Sequence, residues 1–168
     1  TTQLSNLLTT QVQALTATNV ASLAGTQVAA FGATQIGRMT TDALAALDAT
    51  QMAAMTTTQV KGLTSTQLTA LDATDIAEFS ETQLGALTKT QVQSLTSTNM
   101  ASLAGTQIAA FSSTQLQSLS ATTLSALDSN QAAALTTTQM SGLTTTQVGG
   151  LNATDIGELS ATQVAAMS

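Results

Sequence analysis

Residues 135–150 read LTTTQMSG LTTTQVGG, one eight-residue unit stated twice without a gap. With position 1 set at Leu7, the same unit runs outward from this pair through twenty complete octads, ending at Ala166. Residues 1–6 and 167–168 are parts of two more. Position 1 is Leu, Phe or Met in all twenty, with Phe31, Phe79 and Phe111 as the large variants and Met39 and Met55 as the flexible ones. Position 6 is Val, Ile, Leu or Met everywhere except Ala132, so two apolar side chains recur five and then three residues apart. That is the pattern of an interior row. Position 8 is Ala, Ser or Gly except at Arg38, Glu78 and Glu158, which predicts that another backbone passes close to it.

An unbroken helix cannot satisfy this period. Eight residues at about 100° each overshoot two turns by roughly 80°, and the apolar stripe would spiral around the axis. The helix has to restart, and position 2 shows where. It is Thr, Ser, Asp or Asn in sixteen of twenty octads. Each of these carries a short side-chain oxygen that accepts from the free N–H groups of a first helical turn. Three residues later, position 5 is Gln in fourteen octads, with Asn19, Asn99, Asp75 and Asp155 among the substitutes. Thr-x-x-Gln is a capping box, in which the second side chain reaches back to the N–H of the first residue. Each octad therefore reads as about one and a half turns of helix plus one non-helical cap residue.

The fold expected is an all-α solenoid of short N-capped helices, one per octad, with positions 1 and 6 facing a continuous interior. A β-solenoid is the alternative, since Thr, Val and Ile favour strands and Thr-x-Thr is frequent, as at Thr56 and Thr58. Strict alternation, however, would set positions 1 and 6 on opposite faces. The octad also lacks a regular Gly, Asn or Pro for tight corners and is rich in the helix formers Ala, Leu, Gln and Met.

Position 4 is Thr in eighteen of twenty octads, the exceptions being Asp42 and Asn130. Such uniformity predicts an inward-packed methyl and a hydroxyl that satisfies a backbone group of its own or a neighbouring coil, with Gln at position 5 extending a ladder. Some octads depart from the rule. Ala24, Gly32 and Ala104 stand at cap positions, and an absent cap weakens a junction by roughly 1 kcal/mol. The octad 39–46 has Asp42-Ala43 in place of Thr-Gln, and 127–134 reduces position 6 to Ala132.

A second period lies over the first. TNVASLAGTQVAAF at 18–31 returns as TNMASLAGTQIAAF at 98–111, and LDATDIAE at 71–78 returns as LNATDIGE at 151–158, both ten octads further on. The chain is read as a single array, residues 1–168, of about 21 octads with an 80-residue superrepeat. A stacked array normally closes with atypical polar units, and neither end carries one, so a segment of a longer array is expected.

Composition narrows the chemistry. The 168 residues include three Lys plus Arg, nine Asp plus Glu, and no Cys, His, Pro, Trp or Tyr. Serine and cysteine nucleophiles lack their His, zinc lacks its soft ligands, and no Gly-rich phosphate loop occurs, so no enzyme and no cofactor are expected. A net charge of -6, with only Arg38, Lys61 and Lys89 basic, argues against a nucleic-acid partner. Polar positions interrupt every octad, so no membrane span is expected.

The one charged constellation is Asp72, Asp75, Glu78 and Glu81, with Asp155 and Glu158 echoing its middle. Four carboxylates spaced by three are candidates for a Ca²⁺ site, the only metal site the sequence offers, although the spacing differs from the EF-hand loop. The plainer expectation is that Asp72 caps a helix, Asp75 sits in its first turn, and Glu78 and Glu81 are solvated.

The octad LTxTQVxA resembles the low-complexity tandem arrays of large bacterial surface or secreted proteins, across the whole chain but in repeat style alone. The resemblance implies an exported structural or adhesive array, extracellular or at the cell surface, and transfers no site residues. The functional expectation is a segment of a filament, stalk or adhesin rod whose partner is itself, assembled head to tail. The alternative is an ice-binding or ligand-binding solenoid that uses its Thr-x-Thr rows.

Overall fold

The computed structural model describes residues 2–167; the assignment of Thr1 and Ser168 to partial octads lies outside the described residues. Among the described residues stand twenty-one short α-helices, from α1 (Thr2–Ser5) to α21 (Ala161–Ala165), and no strand. The chain is an all-α solenoid with one helix per octad, and the β-solenoid alternative falls. It divides into two compact units, Thr1–Leu87 and Thr88–Ser168. The same construction rules operate within each.

Each helix starts at position 2, where the backbone is extended and the side chain caps. Thr56, at φ -73° and ψ 157°, accepts from the N–H of Gln59 and opens α8 (Thr57–Gly62). Position 1 is extended as well where it follows a six-residue helix, as at Met55 (φ -63°, ψ 132°) and Leu63 (φ -62°, ψ 138°). A pair of extended residues thus separates such helices, where the sequence predicts a single one. No described residue has a positive φ, so the corner is made entirely in the β region and needs no glycine. The octad lacks a regular glycine for this reason.

Ala24, Gly32 and Ala104 give no side-chain cap, as expected, and Leu8 gives none either. Their N–H groups are nevertheless held by the Oε1 atoms of Gln11, Gln27, Gln35 and Gln107, at 2.6 to 2.8 Å. Half of the capping box survives at these junctions.

Helices pack on the helix three places along the chain. In the first unit α4 (Gly25–Val28) lies on α7 (Ala49–Ala54), and α5 (Ala33–Ile36) on α8. In the second, α14 (Gly105–Ala109) lies on α17 (Ser129–Ala134). Positions 6 and 1 fill the interior. Val60, Leu68, Leu84 and Met52 are fully buried at position 6, while Leu63, Leu71, Phe79 and Met55 are 1% to 4% exposed at position 1.

Position 8 meets the backbone of a neighbouring coil, as its small residues predict. A Cβ placed on Gly62 would collide with the carbonyl of Ala33, and one on Gly150 with the side chain of Ala121, each of which holds position 3 of an earlier octad. The two positions trade volume. Where position 3 is Gly25, position 8 three octads on is Ala54, and Gly105 faces Ala134 in the same way.

Candidate functional site

The most organised chemistry in the molecule is a column of buried glutamines at position 5. Each does two things at once. The Oε1 of Gln59 accepts from the N–H of its own cap, Thr56, at 2.7 Å. Its Nε2 donates to the carbonyls of Val28 at 2.7 Å and Phe31 at 2.8 Å, which lie 31 and 28 residues earlier. Gln67 repeats this on Ile36 and Met39, and Gln83 on Met52 and Met55. In the second unit Gln147 donates to Leu116 and Leu119, and Gln163 to Ala132 and Leu135. The reach of each amide is three and a half to nearly four octads, and it sets the repeat of the coil within each unit.

An amide is required here. A carboxylate would serve the cap equally well, but it accepts only and could donate nothing to the carbonyls beneath. Gln59, Gln67, Gln83 and Gln147 are 2% to 3% exposed, and a buried polar group at that depth has to be satisfied.

The ladder lacks its counterpart at the first and last octads. Gln35 is the first residue whose amide reaches a preceding coil, at the carbonyls of Leu4 and Leu7. Among the described residues, the side-chain nitrogens of Gln11 and Gln27 have no protein partner, and no side chain donates to the carbonyls of Leu151, Leu159 or Met167. The core is open at the same places. At position 1, Leu7, Leu15 and Leu23 are half-buried, and at position 6 Ile156 is 38% exposed and Val164 41%. Position 6 is otherwise buried from Val12 to Met140.

The threonines at position 4 correct the expectation for that column. All eighteen are exposed, and none of their hydroxyls makes a hydrogen bond among the described residues. Satisfaction of the neighbouring coil belongs to Gln instead. The threonines at position 2 face solvent too, but Thr56, Thr64, Thr136 and Thr144 spend their hydroxyls on helix caps. Of each Thr-x-Thr pair only the second hydroxyl remains available.

The four acidic candidates fall into different surroundings. Asp72 caps α10 (Ala73–Ala77), its Oδ1 accepting from the N–H groups of Thr74 at 2.7 Å and Asp75 at 2.9 Å. Asp75 closes the box, its Oδ2 accepting from the N–H of Asp72 at 3.1 Å. Burial pushes the Asp75 carboxyl above the usual aspartate range, and the Asp72 charge adds to this against the lowering effect of the Asp72 N–H. Glu78 departs from its solvated reading: its Oε2 is shielded from solvent and has no hydrogen-bond partner among the described residues. Burial first, then the charges of Asp75, Asp48 and Asp72, raise its carboxyl above the usual glutamate range. Glu81 stands exposed in the first turn of α11 (Glu81–Ala86). Asp72, Asp75 and Glu78 are thus brought into mutual influence and Glu81 is set on the next helix. Among the described residues no group of three or more acidic, His or Cys side chains is arranged to hold a metal ion.

Glu78 at a small-residue position is the only sign in the sequence of this burial. The double duty of Gln has a clearer one: fourteen Gln and not one Glu occupy position 5, although Glu suits a capping box as well.

This geometry defines an α-helical tandem-repeat protein whose specific polar contacts all serve the repeat. The profile of the ALTTAQ repeat family matches residues 108–145, under a quarter of the chain. Neither a curated protein nor a solved structure matches the chain.

Proposed function

We propose that this chain is a structural array, a segment of an extracellular or cell-surface filament, stalk or adhesin rod, which spans distance and continues by stacking octads end to end. The observation that carries this is the glutamine ladder, in which each buried position 5 amide ties its octad to carbonyls 28 and 31 residues earlier, so that the buried polar groups serve the stacking of octads. Catalysis and nucleic-acid binding form no part of the proposal. No helix is long and apolar enough to cross a membrane among the described residues. A cavity of about 20 Å³, lined by Leu124, Ala132, Leu135 and Met140 among others, has room for about one water.

Light scattering and electron microscopy of the isolated chain test the assembly. Concentration-dependent, elongated oligomers are expected, and a strict monomer up to millimolar concentration removes the end-to-end part of the reading. Location is tested by protease treatment of intact source cells. Release of octad peptides supports a surface array, and complete protection removes it.

One observation favours a second reading, an ice-binding or ligand-binding solenoid: the exposed, unpartnered threonine hydroxyl in eighteen octads. Against it, helices stack on the helix three octads along within each unit, so consecutive octads do not add their hydroxyls to one continuous row. Thermal hysteresis at micromolar protein would restore this reading to first place.

A further inference from the structure

We propose that Asp75 is a proton-operated rung of the glutamine ladder: as a carboxylate it leaves the facing coil untied, and as a carboxylic acid it donates to that coil as a glutamine amide does. The device belongs to the first unit by itself and operates whether or not the array assembles.

The rungs on either side of Asp75 are intact. Gln67 donates to the carbonyls of Ile36 and Met39, and Gln83 to those of Met52 and Met55, in each case 31 and 28 residues earlier. The same separations set Asp75 against the carbonyls of Leu44 and Leu47. Leu44 already accepts from the N–H of Leu47 at 3.1 Å. The carbonyl of Leu47 has no hydrogen-bond partner among the described residues, although Leu47 is only 4% exposed. A buried carbonyl without a donor costs stability until it finds one.

The second unit shows that an aspartate at position 5 reaches the facing coil. Asp155 takes the hydroxyl of Ser125, 30 residues earlier. The residue 30 before Asp75 is Ala45, which offers no donor. In its charged form Asp75 uses one oxygen, Oδ2, to accept from the N–H of Asp72 at 3.1 Å, and Oδ1 has no partner among the described residues. Lone pairs on that carboxylate and on the Leu47 carbonyl repel each other. A proton on Oδ1 turns the same approach into an O–H···O=C bond, while Oδ2 keeps the cap. Glutamine does permanently what this aspartate does with a proton from solvent.

The surroundings favour the protonated form. Burial is the first cause at both Asp75 and Glu78; the charge of Asp72 then acts on Asp75, and those of Asp75, Asp48 and Asp72 act on Glu78. Asp72 caps the helix that carries Asp75, and Asp48 caps α7 on the facing coil. Asp42 on α6 (Thr41–Leu44) and Glu81 on α11 are exposed, α9 (Ser65–Ala70) has no titratable side chain, and residues 90–127 contain none. No basic side chain is among the charges acting on either carboxyl.

Carbon-13 NMR of the whole chain, titrated from neutral to acid pH, reads the rung directly. The carbonyl shift of Leu47 should move downfield with the same midpoint as the Asp75 side-chain carboxyl, while that of Met39, already bonded by Gln67, stays still. Asp75→Asn, which is neutral and donates at every pH, should hold Leu47 at its acid position throughout. Ala45→Ser places a hydroxyl where Ser125 stands in the second unit and stabilises the carboxylate, so the Asp75 midpoint should move to a roughly tenfold higher proton concentration. If Asp75 titrates and the Leu47 carbonyl does not follow, the acid protonates without joining the ladder and the proposal is overturned. A Leu47 shift that still titrates in Asp75→Asn assigns the proton to another group and also overturns it, and an Asp75 midpoint unmoved by Ala45→Ser shows that its carboxyl does not face that coil.

Discussion

The octads 71–78 and 151–158, LDATDIAE and LNATDIGE, are the same element in two copies of the 80-residue block, and each puts Asp where the ladder calls for Gln. Their surroundings differ at two places. In the second copy Ser125, on the facing coil, donates its hydroxyl to Asp155 Oδ2 at 2.5 Å, and the N–H of Asn152 donates to the same oxygen at 2.8 Å. In the first copy the residue at the place of Ser125 is Ala45, and Asp72 stands where Asn152 does. Asp75 keeps only the N–H of Asp72, and burial first, with the like charge of Asp72 adding to it, raises its carboxyl above the usual aspartate range. A ladder site that has lost its donor is made whole when the facing coil supplies one. A second pair of octads makes the corresponding point in the core. Met52 is fully buried at position 6, whereas its counterpart Ala132 borders the cavity of about 20 Å³.

The largest expected effect tests that core difference. Met52→Ala should destabilise the first unit by about 2 to 5 kcal/mol, the usual cost of emptying a fully buried site. Ala132→Val should move the second unit the other way, by about 1 kcal/mol for the methyl groups it buries. Urea unfolding of the paired variants reads both. If Ala132→Val lowers stability, the cavity is not available to side-chain atoms and the comparison fails.

Repairing the ladder comes next. Asp75→Gln supplies the missing donor in the register of the Leu44 and Leu47 carbonyls and should stabilise by roughly 1 to 2 kcal/mol. Asp155→Gln gains the same donor but gives up the hydroxyl of Ser125, so its gain should be smaller. Equal gains in the two copies would show that Ser125 contributes nothing.

The pH dependence tests the first copy by itself. The raised values at Asp75 and Glu78 mean that the folded chain holds these protons more tightly than the unfolded chain does. The stability tied to them is fully present below the unfolded values of 3.8 and 4.5 and is lost as pH rises through the raised folded values. Thermal stability of the first unit should therefore increase on mild acidification from neutrality. Asp75→Asn and Glu78→Gln should flatten that rise, and a wild-type melting temperature that falls steadily from neutral pH would contradict it.

Much of the fold is legible in the octad because the period and the cap chemistry constrain each other. Eight residues cannot keep one helical face, Thr-x-x-Gln announces a helix start, and Leu at position 1 with Val at position 6 fixes the inward side. Gly62 and Gly150 bear out the close approach that small residues at position 8 imply. The position 4 threonines mislead because uniformity along the chain looks like burial. Their hydroxyls are natural candidates to satisfy the next coil, yet the column with both a donor and an acceptor stands one residue on. The contact partner of Gln lies on another coil, and an eight-residue period says nothing about how many octads complete a turn. For the same reason the sequence gives only a faint sign of the shielding of Glu78, its place at a small-residue position: its surroundings include Asp48, three octads earlier, as well as its own helix.

The smallest expected effect decides what the uniform threonine column is for. Thr18 and Thr98 occupy the same position in the two copies, within TNVASLAG and TNMASLAG, and both are exposed. Their hydroxyls have no partner among the described residues, and the helix starts around them are capped by Thr16 and Thr96. Replacing either by Val keeps the shape and removes only the hydroxyl, so Thr18→Val and Thr98→Val should each change stability by less than about 0.5 kcal/mol. Whatever separates the copies at 72, 75 and 132 should leave this pair indifferent. A loss above about 1.5 kcal/mol in both would mean that the hydroxyl has a structural partner and that the column is maintained by folding. A null result in both leaves Thr at eighteen exposed positions with no stability to account for it, while position 3 beside it ranges over Ala, Gly, Ser, Thr, Glu and Lys. The hydroxyl column would then be kept for what it presents to solvent, and the hysteresis measurement becomes the experiment that separates an inert flank from a binding one.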